Sequence, residues 1–192
     1  MAEEAPHDNS PRTWVLRELE SRFAATLGER ADRYLRIGAM QIIADTSFAA
    51  ASSECIGLFR DGHFYGCVAL AQAVGEALVR HMCHSNNFKP GKSFEENLSK
   101  LKKRRFISDA VEADFTELWK RRDDYHHLNP SVLADREQLE GLAFAKVKAL
   151  AQIEAWVFGF SPGVNGIALN NPQYWPREGG EARAFLRSDP AV

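Results

Sequence analysis

Long apolar runs are missing from this chain. No window approaches the roughly 18 uncharged apolar residues that a bilayer crossing demands, so the sequence predicts no membrane span. The opening stretch MAEEAPHDNSPR lacks a basic segment followed by an apolar one, so no signal peptide is expected. Cysteine is scarce: Cys55, Cys67 and Cys83 are an odd set, each inside an apolar helical segment. They read as reduced, buried thiols, and with the missing leader they point to a cytoplasmic protein. An excess of positive charge is also lacking. Lys and Arg number 24 against 26 Asp and Glu, a net charge of −2, so no global field draws in nucleic acid and any phosphate contact must be local. Glycine-rich phosphate loops, Gly-x-Ser-x-Gly and His-Glu-x-x-His are absent. His81, Cys83 and His84 fit no zinc spacing and no second cluster completes a ligand set, so no metal and no cofactor is expected. Alternating apolar and polar residues are missing too, which argues against strands of useful length.

What remains is helical periodicity. Residues 1–12 are polar and acidic and read as a disordered tail, with Ser10 and Pro11 as a helix start. Trp14, Leu16, Leu19, Phe23 and Leu27 follow at helical spacing, and Gly28 either ends that helix or weakens it. A second helical stretch is expected over residues 29–44. Residues 63–84 form the most apolar helix, central by its composition, with Glu76 and Arg80 paired one turn apart. Ser93 caps a helix with Glu96 three residues on, and that helix ends in Lys100, Lys102, Lys103, Arg104 and Arg105. Ser108 or Asp109 caps the next, which is expected to run to Asn129-Pro130; a last long helix covers residues 134–159. The tail beyond is rich in Gly, Asn and Pro; Tyr174 and Trp175 pin it, and residues 177–192 have little to bury. The expected architecture is all-α: an up-down helical bundle over residues 13–160 and an irregular C-terminal extension over 161–192.

The chemistry concentrates in residues 121–127, RRDDYHH. Arginine grips a phosphate through paired hydrogen bonds, and histidine moves a proton near neutral pH. Arg122 and His127 are five apart, as are Arg121 and His126, which puts either pair about 140° apart on an ideal helix. They converge only if the helix unwinds or a second copy shares the site. A charged helix end with Arg–Asp pairs is the plainer alternative on residue types alone.

Arg122-Asp123-Asp124-Tyr125-His126-His127 resembles the R-x4-H motif of the HEPN superfamily (higher eukaryotes and prokaryotes nucleotide-binding), where a polar residue follows the arginine as Asp123 does here. The segment DGHFYGCVALAQAVGEALVRHM resembles that family's helix bearing an acidic residue, and the likeness covers about residues 50–160. The resemblance implies a helical bundle that dimerises and a metal-independent RNase whose paired motifs build one composite site. Arg122 and His127 are then the catalytic pair, Asp123 orients them, and Tyr125 or His126 assists. Arg121, Lys102, Lys103, Arg104 and Arg105 are the expected RNA-backbone contacts, with a homodimer, RNA and a protein antitoxin as expected partners. A non-catalytic module that binds a partner protein or a nucleotide is the rival reading.

Overall fold

The structure is a computed structural model and describes residues 10–127, 129, 135–164 and 166–187. The expected disordered tail therefore lies outside the described residues for positions 1–9, as does Pro130. By its contacts the chain divides into two units, one ending at Arg36 and one running from Ile37 onward.

The first unit contains one long helix, α1 (Pro11–Arg36). Ser10 opens it as expected, its Oγ accepting from the Thr13 N–H at 3.3 Å. The helix runs straight through Gly28, so of the two outcomes expected there the glycine does not end it. One glycine costs about 1 kcal/mol, which a 26-residue helix absorbs. Leu16, Leu19, Phe23, Leu27 and Tyr34 share one side of it, and all five are exposed.

The second unit is mostly helical. Its helices are α2 (Ala49–Arg60), α3 (Phe64–Ser85), α4 (Phe94–Lys103), α5 (Asp109–Trp119), α6 (Arg122–His126) and α7 (Arg136–Val157). α3 is the central element: α2, α4, α5, α6 and α7 all pack on it, and it buries Cys67, Val68, Ala71, Val74, Leu78, Val79 and Met82. Its Gly75 lets α5 approach, since a Cβ there would run into the Leu118 side chain. Cys55, Cys67 and Cys83 are free and buried.

Two expectations need correction. Residues 37–44 are not helical: Ile42–Ala44 form a strand, β1. Nor are the described residues of the expected irregular extension, which reach to 187, without regular structure. β2 (Phe160–Gly163) pairs with β3 (Gly166–Leu169), β4 (Arg177–Glu178) with β5 (Glu181–Ala182), and β6 (Ala184–Leu186) with β1, all antiparallel. Tyr174 and Trp175 are buried and pin this segment, as their size suggests. The anchor that sequence reading missed is Arg187. It is buried, pairs with the Glu154 carboxylate of α7, and donates to Ser52 Oγ at 2.6 Å and to the Met40 carbonyl at 2.7 Å. Glu154 and Ser52 are fully buried, so this ion pair joins α2, α7 and the residues flanking β1 and β6 inside the core.

Candidate functional site

The site is assembled from three chain segments. The first is the start of α4. Ser93 caps it, Oγ accepting from the Glu96 N–H at 3.1 Å, and the Glu96 carboxylate reaches back to the Lys92 N–H at 2.9 Å. Phe94, the first helical residue, then turns inward against Phe115 and Trp119.

The second segment is the end of α5. Ser108 caps its start and Trp119 is its last residue. The expected run of helix to residue 129 is interrupted here: Lys120 leaves the helix with φ −53 and ψ 135, and Arg121 adopts left-handed backbone at φ 62. An arginine has no glycine-like freedom at positive φ, so the surroundings must hold it there. Two buried side chains do so. Lys146 of α7 donates to the carbonyls of Glu117 and, at 2.8 Å, Lys120; Gln72 of α3 donates to the same Lys120 carbonyl at 3.3 Å. Together they satisfy acceptors that α5 leaves open at its C-terminus. Burial pushes the Lys146 amine down to about 8.

The third segment is α6, docked on α3 through buried Tyr125, whose ring lies 6.1 Å from that of Tyr65. Because the chain turns at 120–121, Arg122 and His126 do not continue the face of Phe115. The Arg122 guanidinium carbon lies 4.9 Å over the Trp119 ring. Phe94 is stacked on that ring at 4.0 Å and 8°, leaving no room on its own side, so the arginine covers the opposite face. Trp119 Nε1 donates to Glu95 at 2.7 Å. The Glu95 carboxyl sits below its usual range, chiefly through the Glu95 backbone N–H, with help from Trp119 and Arg122.

These segments surround an open cleft of about 670 Å³. Lys92, Lys120, Arg121 and Arg122 line it, as do Glu76, Glu95, Asp123 and Asp124. Its charges balance, with the arginines engaged locally: Arg121 Nε with Asp124 at 2.9 Å, Arg122 with Asp123 at 3.3 Å. Asp123 is largely exposed, so its pairing is loose and screened. Glu76 pairs with Arg80 at 2.7 Å, as the spacing suggests.

Neither histidine lines the cleft: both are exposed, and His127 is the residue that follows α6. His126 follows Arg122 by one turn and shares its side of α6. Burial lowers its pKa first and the Arg122 charge second, while the Ala69 carbonyl and Glu76 act to raise it. The pair that this geometry associates is therefore Arg122 with His126, a register that neither five-residue spacing anticipated. Tyr125 is structural in position, buried beneath Arg121, whose guanidinium lies 5.4 Å over its ring.

The basic run of α4 is not brought to the cleft. Lys102 pairs with Asp109 and, at 3.2 Å, with Glu112; Arg104 lies over Phe88; Lys103 and Arg105 are exposed. These residues occupy the C-terminal end of α4, about 15 Å from the end that meets the cleft. Trp119, Phe94, Glu95, Lys92, Lys120, Lys146 and Gln72 were not singled out in the sequence. Trp119 stands at helical spacing from Phe115 in an apolar stripe, and nothing in its neighbours signals the arginine above it.

Comparison of the chain with known proteins found no matching family model, no similar curated protein and no similar solved structure. Among the described residues, no helix is long and apolar enough to cross a membrane.

Proposed function

We propose that the protein is a metal-independent endoribonuclease of HEPN type, built as an up-down bundle, working in the cytoplasm as a homodimer. The observation that carries this reading is Arg122, half-exposed over Trp119 in an open cleft, with His126 one turn along the same short helix. The R-x4-H resemblance gives the reaction class. Arg122 holds the non-bridging oxygens of a phosphodiester and offsets the charge that grows there. His126, whose pKa is lowered chiefly by burial and then by the Arg122 charge, takes the proton of an RNA 2′-OH. The 2′-oxygen bonds to phosphorus, the bond to the 5′-oxygen breaks, and that oxygen is protonated as it leaves. The products are a 2′,3′-cyclic phosphate and a 5′-hydroxyl. The acid in this reading is His127 of a second copy; in its own chain His127 follows the last residue of α6.

Incubation with RNA in EDTA tests the proposal. Wild type cleaves, Arg122→Ala loses about 10²–10³ in rate and His126→Ala about 10²–10⁴. Equal cleavage by wild type and both variants sinks it.

One observation favours a second reading, a non-catalytic module that binds phosphate-bearing partners. Asp123 and Asp124 already engage the two arginines, and the four carboxylates of the cleft match its four cations. In that case Arg122→Ala removes phosphate binding while no cleavage is seen for any form.

A further inference from the structure

A second cavity, of about 310 Å³, adjoins the arginine cleft. The two share Phe94, Glu95, Trp119 and Lys120. What they do not share differs in kind. The cleft adds arginines and acidic partners, whereas the smaller cavity adds Leu98, Ser99, Glu112 and Thr116. Its floor is apolar, with Phe94 and Leu98 buried and Trp119 half-buried. Its polar groups are two carboxylates, two hydroxyls and the Lys120 amine. A space of this size takes one heterocycle, not a chain.

We propose that this cavity is the base pocket of a nucleotide whose phosphate lies in the arginine cleft, and that Glu112 selects guanine there. The inference rests on the phosphate-handling role assigned to Arg122 and adds the substrate class. A polar, arginine-bearing chamber joined through an aromatic wall to a small apolar one matches the two halves of a nucleotide. The choice of base follows from the acceptors. An ionised carboxylate can only accept. Guanine alone among the four RNA bases presents two adjacent donors on one edge, N1–H and N2–H₂, spaced for the two oxygens of one carboxylate. Adenine and cytosine set a ring-nitrogen acceptor beside their amino group, and uracil flanks its N–H with carbonyls. Each of those edges turns a lone pair toward the negative charge.

Glu112 is the group placed to read that edge. It is half-buried, lines the smaller cavity and not the cleft, and is held by Lys102 at 3.2 Å. Each carboxylate oxygen has two lone-pair sites, so the ion pair leaves capacity for the base. Thr116, one turn on, donates its hydroxyl to the Glu112 carbonyl at 2.8 Å and forms the adjacent wall. Lys102 thereby acquires a role in fixing the reader, in place of the direct RNA contact expected of it.

Calorimetric titration of the full chain with GMP, AMP and inorganic phosphate decides the matter. Wild type binds GMP about tenfold more tightly than AMP, the discrimination expected of one bidentate contact. Glu112→Gln puts an amide donor where guanine also donates, and GMP falls to the level of AMP while phosphate binding is unchanged. Thr116→Phe fills the pocket from an exposed position; both nucleotides weaken and phosphate does not. Arg122→Ala weakens all three probes and leaves the GMP-to-AMP ratio intact. If wild type holds phosphate through Arg122 but binds GMP and AMP alike, or if the GMP preference survives Glu112→Gln, the base pocket is refuted and the phosphate site stands. If wild type binds none of the three probes, both are refuted.

Discussion

Lys146 carries its charge where almost no water reaches it, and that has a pH signature. Its amine is pushed down to about 8 in the fold, against 10.5 for a free lysine. Between those values the unfolded chain holds a proton that the folded chain has released, so stability rises with pH across that window and is flat below it. Urea midpoints at about pH 7.5 and about pH 10 check this: Lys146→Met should lose the rise that wild type shows. His126 gives a second profile. Its pKa lies below the ordinary histidine value, so cleavage should climb along an acid limb below about pH 6.5 and be level by neutrality. A limb centred above that value would exclude His126 as the base. At this scale the sequence was readable where partners are close in the chain. Ser93, Ser108 and the Glu76–Arg80 pair all sit within four residues of what they bind. Lys146 reaches carbonyls 26 and 29 residues away, and no local pattern announces such a bond.

The elements show the same division. Helices α3, α4 and α7 follow from periodicity, and α4 from its Ser93 cap as well, since each of these signals is written into one short window. The break between α5 and α6 does not, because residues 119–122 contain neither glycine nor proline. Lys146 and Gln72 impose the turn from other helices, and this turn brings Arg122 to Trp119. Strand β1 was misread as helix because its partner β6 lies about 140 residues on. The α3–α5 contact offers a stability test. Gly75→Ala should cost about 1–3 kcal/mol, because the new methyl meets Leu118 in a closed core. Combining it with Leu118→Ala should give less than the sum of the two single losses in urea denaturation, since the second change vacates the contested space. Strict additivity would mean that the helices move apart freely.

For the molecule as a whole, the decisive interaction is the buried pair of Arg187 and Glu154. Removing one partner strands a charge in the core, so Glu154→Leu alone should cost about 3–5 kcal/mol. Glu154→Leu combined with Arg187→Met removes both charges, and chemical denaturation should show a smaller loss than Glu154→Leu alone. A double variant less stable than that single one would mean that Ser52 and the Met40 carbonyl, left without their donor, outweigh the ion pair. Composition could suggest a helical protein, but not that residue 187 closes its core.

That closure sets an order of events at synthesis. Ser52 and Glu154 emerge from the ribosome well before Arg187, and until Arg187 is clear the interior of the second unit holds a carboxylate with no cation opposite it. The helices can gather earlier, but the native interior waits on a residue made late. Nascent chains stalled before position 187 should therefore be open to protease, and those released after it should resist.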